Sequence, residues 1–177
     1  MMERCDQVDV FLQPGDTFVA DAQYRLRTLL GSCVAMTLWH RGAAIGGMTH
    51  FLLPERGGGP LGPGQPRDGR YGDEALALVL DEFRALGLAP TQCEAKVFGG
   101  GDMFPEQGRE DLDSVGRRNG EAARLLLQRQ GIALVSHSLF GIGHRQIVFD
   151  VATGDVWSHQ VTPVLVADDA SHLARVA

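Results

Sequence analysis

The chain has 177 residues, enough for one domain with its own core, and its 44% apolar and 21% charged residues are those of an ordinary globular protein. A formal charge of −6 argues against a nucleic-acid binder, which normally carries a basic face. No run approaches the ~18–20 apolar residues that cross a bilayer, so no membrane insertion is expected. The N-terminus, Met1-Met2-Glu3-Arg4-Cys5-Asp6, lacks a signal-peptide core, and a cytoplasmic protein is expected. There Cys5, Cys33 and Cys93 are expected as free thiols, since an odd count without C-x-x-C spacing gives neither a disulfide framework nor a zinc motif.

In chain order, Val8 to Leu12 reads as a short strand ended by Pro14-Gly15. Leu26 to Trp39 reads as a strand, a tight kink at Gly31-Ser32, and a second strand from Cys33. Arg41-Gly42 is a two-residue turn signal in which Gly42 can take positive φ, and Ala44 to Leu53 completes a hairpin. Residues 54–72 are Gly- and Pro-rich without periodicity, either a functional, mobile segment or a tolerated surface insertion. Asp73 to Leu86 is helical, with Leu76, Val79, Leu80 and Phe83 on one face and Gly87 as a stop. Glu94 to Phe98 is a strand entering Gly99-Gly100-Gly101. A second helix runs from Arg118 or Asn119 to Gln130, with Leu125, Leu126 and Leu127 inward and Gly131 following it. Ile132 to Val135 is a strand, and Arg145 to Val151 with Val156 to Val161 forms a closing hairpin around Thr153-Gly154. The tail, residues 167–177, reads as a short helix or a disordered end beyond a single domain of residues 1–166. Strands in hairpins with two helices between them predict an α/β (α+β) fold of mixed or antiparallel sheets with helices packed outside.

Cys33 directly follows a glycine-containing kink, which presents its sulfur at a strand start near exposed backbone N–H groups suited to an oxyanion. By itself that feature leaves Cys33 more often a small buried hydrophobe than a nucleophile. His50 interrupts an apolar strand, where a lone histidine is more often a hydrogen-bonded core residue than a catalyst. Geometry links the two. If Arg41-Gly42 are the central turn residues, His40 pairs with Ala43, and counting back along both strands sets Cys33 opposite His50. Opposite residues share a face with Cβ atoms about 4.5–5.5 Å apart, in range for a thiolate–imidazolium pair. Elsewhere, Gly99-Gly100-Gly101 lacks the Gly-Lys-Ser/Thr of a phosphate loop. His137 and His144 have no ligand at metal-like spacing. His40 and the acidic residues Asp102, Asp111 and Asp113 read as solvated, and Cys93 as structural.

Thr28-Leu29-Leu30-Gly31-Ser32-Cys33-Val34-Ala35, followed by Gly46-Gly47-Met48-Thr49-His50-Phe51-Leu52-Leu53-Pro54, resembles the chemoreceptor glutamine deamidase family, CheD. Arg70-Tyr71-Gly72-Asp73, Glu94-Ala95-Lys96-Val97-Phe98-Gly99-Gly100 and Gly116-Arg117-Arg118-Asn119 extend the resemblance from about Phe11 to about Val161. It implies a protein-glutamine glutaminase of chemotaxis adaptation that converts particular receptor glutamines to glutamates. It also implies a layered sandwich similar to the catalytic domains of deamidating toxins. The family's cysteine falls on Cys33 and its histidine on His50. No cofactor or metal is implied. The implied partners are the cytoplasmic helices of methyl-accepting chemoreceptors and, in many members, a response-regulator phosphatase that binds the deamidase. The family's third catalytic residue is a threonine, in some members six positions before the cysteine. Here that position is Arg27, and the candidate Thr28 lies five upstream, an offset that along one strand turns a side chain to the other face. Around Ser138, Phe140 and Gly141 the chain also departs from the family's Asp and Gly-Gly pattern.

The expected reaction is amide hydrolysis by Cys33 with His50 as base, the oxyanion held by backbone N–H groups around Gly31, Ser32 and Cys33. Two other readings compete: a catalytically weak module that regulates receptors or the phosphatase by docking, and a cysteine peptidase or acyltransferase using the same pair.

Overall fold

A computed structural model describes residues 6–105 and 114–161 of the chain; the expectations placed on Cys5, Asp111, Asp113 and the tail 167–177 lie outside the described residues. Nine strands and two helices make three layers. In chain order they are β1 (Val8–Phe11), β2 (Thr17–Ala20), β3 (Tyr24–Leu30), β4 (Val34–His40), β5 (Ile45–Thr49), α1 (Gly72–Ala85), β6 (Glu94–Gly99), α2 (Val115–Arg129), β7 (Ala133–Leu139), β8 (His144–Asp150) and β9 (Val156–Val161). One sheet has the order β1-β3-β8-β9 and the other β2-β5-β4-β6-β7. Both are mixed: β1 runs parallel to β3 and β6 to β7, while the other neighbours are antiparallel. The expected architecture of mixed sheets covered by helices is the one observed, with the helices on the five-stranded sheet only.

β4 explains the layering. It is central in its sheet and buried along almost its whole length, so both faces must be apolar. Val34, Met36 and Leu38 face Ala75, Leu76, Val79, Leu80, Phe83 and Ala123 of the helices. Ala35 and Trp39 face the four-stranded sheet, where they pack with Leu26, Leu30, Ile147 and Phe149. Burial of the Val, Leu, Ile, Met and Phe side chains among these contributes about 1.5–3 kcal/mol each relative to exposure.

Several boundaries differ from the sequence expectations, each for a local reason. β2 was not anticipated, because four residues bounded by Asp16 and Asp21 carry too little periodicity. α2 begins about one turn earlier than expected, since the Ser114 side chain accepts from the Arg117 N–H at 3.2 Å and caps it. Of the three leucines expected inward, Leu127 is buried and Leu125 is 44% exposed. A step of about 100° per residue cannot turn three successive side chains one way. The segment 54–72 carries neither helix nor strand over most of its length, but it is tied down. Glu74, buried at the start of α1, accepts a bidentate pair from Arg56 and the Asp68 N–H, and Leu53 bridges Tyr71. The Arg56 guanidinium holds the Glu74 carboxyl below the usual range.

Candidate active site

The β4–β5 hairpin does not have the two-residue turn that the sequence suggested. His40 pairs with Ile45, so Arg41 to Ala44 form a four-residue loop. Ala44, not Gly42, takes the positive φ, at 49°, and the His40 Nδ1 accepts from the Ala43 N–H. The pairing therefore moves by two residues. Val34 bridges Phe51, with N–H···O distances of 3.1 and 3.0 Å in the two directions, so Cys33 comes level with Leu52 rather than His50. An even shift preserves facing. His50 stays on the Cys33 side of the sheet, one step along the diagonal, and Cys33 packs against the inter-sheet core.

Thr28 completes the arrangement. It is fully buried on β3 between Leu26 and Leu30, the inward-facing residues of the opposite sheet. Its Oγ1 lies 2.8 Å from His50 Nδ1 and 2.7 Å from the Leu12 carbonyl oxygen. The parity that spoke against Thr28 does not apply. The chain leaves one sheet after Leu30, crosses at Gly31-Ser32 and enters the other at Val34, so facing along β3 says nothing about facing along β4.

These contacts set the imidazole tautomer. The Leu12 carbonyl can only accept, so the Thr28 hydroxyl spends its one proton there, and Nδ1 must be the N–H that donates to Thr28 Oγ1. Nε2 is then the bare nitrogen. It is buried without a hydrogen-bond partner among the described residues, Cys33 included. An acceptor held open at the end of a positioned ring is what a general base requires.

Burial sets the charge state. It pushes the half-buried Cys33 thiol up, against the pull of its own backbone N–H. It pushes His50 down, against the Leu12 carbonyl and Asp16. Both shifts favour the neutral forms, thiol and imidazole, over a thiolate–imidazolium pair. Cys93 is buried and raised to about 11, which leaves it inert as a nucleophile.

Three segments brace the turn that carries Cys33. The Gly100 N–H donates to the Cys33 carbonyl and the Gly101 N–H to the Gly31 carbonyl, both at 2.9 Å. A Cβ on Gly99 would stand 2.2 Å from the Cys33 oxygen, and one on Gly101 2.3 Å from the Gly143 oxygen. The glycine run is thus a close-approach surface, not a phosphate loop. Buried Asn119 of α2 donates from Nδ2 to the carbonyls of Ser32 and Leu52, at 3.1 and 2.7 Å. Sequence reasoning named Asn119 only as a possible helix start and as part of a matching block. Its clamp joins residues far apart in sequence and has no local signature. The Ser32 and Cys33 N–H groups donate to no backbone acceptor among the described residues, and the Cys33 N–H lies against its own sulfur. Phe140, at φ 68°, donates its N–H to Gly99, and buried Arg145 binds the Ser138 and Phe140 carbonyls, so the β7–β8 loop closes over the same region.

Comparison with known proteins agrees with the motifs. The family described as CheD chemotactic sensory transduction matches residues 52–160. A probable chemoreceptor glutamine deamidase CheD 2 of Albidiferax ferrireducens is 58% identical over 164 residues, covering 93% of this chain and 94% of that protein. The CheD of Pseudomonas savastanoi pv. phaseolicola is 39% identical over 171 residues, covering 96% and 94%. An archaeal relative, from Thermococcus kodakarensis, is 42% identical over 135 residues, covering 75% and 80%. Among solved structures, Bacillus licheniformis hypothetical protein YfiH superposes with a TM-score of 0.41 at 14% identity, over 70% of this chain and 50% of that one. The chain belongs to the CheD family.

Proposed function

We propose that the protein is a chemoreceptor glutamine deamidase, with Cys33 as nucleophile, His50 as general base and acid, and Thr28 as the residue that orients His50. The observation that carries the reading is the Thr28–His50 contact, which leaves Nε2 as an open acceptor on the Cys33 side of the inter-sheet core. Names of relatives covering more than nine-tenths of both chains support the substrate class.

The chemistry follows from these positions. As the Cys33 sulfur attacks the carboxamide carbon, its proton passes to Nε2. The carbonyl oxygen becomes an oxyanion within reach of the N–H groups of Ser32 and Cys33, on the turn that Gly31 permits. Nε2 returns the proton to the departing nitrogen, releasing ammonia and leaving a thioester. Nε2 then takes a proton from water, whose oxygen attacks the thioester carbon. The thiolate leaves, recovers its proton from Nε2, and the side chain is glutamate. Throughout, the Nδ1 proton stays with Thr28, which fixes the ring and stabilises the transient imidazolium.

The test is intact-mass and ammonia analysis of chemoreceptor cytoplasmic fragments incubated with the protein. Conversion of amide to acid supports the reading, and tight fragment binding without conversion supports the docking module instead. The same reading includes docking of a response-regulator phosphatase, which would be read as a change in deamidation rate when it is added.

Three further results are expected. Thr28→Val keeps volume but removes the Nδ1 acceptor, and kcat should fall roughly 10- to 100-fold by misplacing the ring. Unchanged kcat in a folded Thr28→Val would remove Thr28 from the machinery. The acid limb of kcat/KM should lie below the ordinary histidine value of 6.5, because burial lowers His50 and its base form persists to lower pH. Alkylation of Cys33 by iodoacetamide in His50→Ala should rise only above the ordinary thiol range, because burial raises the thiol. An acid limb above 6.5 would show that burial does not lower His50, and fast alkylation of wild-type Cys33 well below the ordinary thiol range would instead indicate an ion-paired resting site.

A further inference from the structure

Beyond the Val34–Phe51 bridge the two strands carrying the site part company. The Leu52 and Leu53 N–H groups turn to the Arg70 carbonyl, and the Leu53 carbonyl accepts from Gly72. His50, at a non-hydrogen-bonded position of the β4 pair, directs its backbone to the other side: its N–H donates to the Asp16 carbonyl and its carbonyl accepts from Gly15. One of the segments diverging here bears the nucleophile and the other follows the base. In the gap the backbone ladder no longer fixes their separation. Asn119 fills it. Its single Nδ2 group donates to Ser32, the residue before Cys33, and to Leu52, two residues after His50. Only the nitrogen end of a carboxamide can donate to two carbonyls, so the orientation of the group is unambiguous. Its Oδ1 is buried without a partner among the described residues, so the side chain keeps an acceptor unsatisfied in order to hold the two strands.

We infer that Asn119 is a positioning residue of the deamidation, setting the distance between the Cys33 sulfur and His50 Nε2 by clamping the Ser32 and Leu52 carbonyls. The inference rests on the deamidase reading. Asn119 touches neither substrate nor reacting atoms. It acts through the nucleophile turn on one side and the His50-bearing segment on the other. Because α2 is independently fixed in the core by Ala123 and Leu127, the clamp is anchored to a rigid element. The amide replaces, at one point, the strand pairing that would otherwise hold the site closed.

The experiment compares wild type with Asn119→Ala, with the near-isosteric Asn119→Asp, which presents oxygens to both carbonyls, and with Ile132→Ala, a cavity variant remote from the site. Kinetics on a chemoreceptor cytoplasmic fragment, thermal melting, and iodoacetamide alkylation of Cys33 with and without His50→Ala are measured. Expected are a loss of about 10- to 100-fold in kcat at both Asn119 variants with KM held within about 3-fold. Ile132→Ala should melt early yet keep its kcat. The slowing of Cys33 alkylation by His50→Ala should vanish in the Asn119→Ala background, because the pair is already apart. Should Asn119→Ala not fold, the same quantities are read from Asn119→Ser. Wild-type kcat in a folded Asn119 variant, or alkylation effects that simply add, would overturn the inference. A wild type that releases no ammonia would overturn the deamidase reading instead, while the alkylation cycle still decides the role of Asn119.

Discussion

Cys33→Ala is expected to remove deamidation almost completely, by on the order of 10⁴-fold or more, while the protein remains folded. The acyl intermediate needs a covalent nucleophile, and neither the turn nor its N–H groups can replace one. Cys33 is half-buried at the edge of the inter-sheet core, so loss of one sulfur should cost about 1 kcal/mol of stability. Cys93→Ala serves as the control. Cys93 lies in the opposite core, against the helices, and its thiol is raised to about 11. Ammonia release from a receptor fragment, with circular dichroism as a fold check, measures both. Activity in Cys33→Ala together with its loss in folded Cys93→Ala would move the nucleophile.

The second large effect is expected at His50. His50→Ala should lower kcat/KM at neutral pH by about 10²- to 10⁴-fold, since the thiol loses its proton acceptor and the leaving ammonia its donor. Partial recovery should follow at alkaline pH, where the thiol ionises unaided, and burial of Cys33 places that recovery above the ordinary thiol range. The effect should exceed that of Thr28→Val, because threonine only orients the ring. Activity of His50→Ala within a few-fold of wild type at pH 7 would leave the site without a base and end the proposed mechanism.

Much of the site was legible in the sequence because its main signals are local. Cys33 after a glycine kink and His50 in an apolar strand each carried a mark, and the even spacing of a hairpin placed them on one face whichever even-numbered loop joined them. The register itself was not legible, since a positive φ at Ala44 is not a preference that alanine advertises. The parity argument against Thr28 was carried across a crossover between sheets, where it has no meaning, and the structure sets its hydroxyl beside His50. The Asn119 clamp and the glycine brace were invisible for a third reason. Each joins segments that are distant in sequence, a side chain on two carbonyls at Asn119 and backbone on backbone at the glycines, and composition records neither meeting. The helices and the mixed sheets they cover were readable because amphipathic periodicity and strand–turn patterns are one-dimensional.

The glycine brace also bears on how activity depends on folding. Gly99, Gly100 and Gly101 each approach a backbone oxygen of another segment, at Cys33, Gly116 and Gly143, so the nucleophile turn is shaped by chain spanning more than a hundred positions. No local element carries the site alone. Contacts of that range are slow to close, so the turn is complete only once all these segments have met. The site therefore inherits the global stability of the domain rather than a private one. A destabilisation of 1–2 kcal/mol anywhere in either core would lower the population of active molecules in a cell without altering the chemistry of those that remain folded.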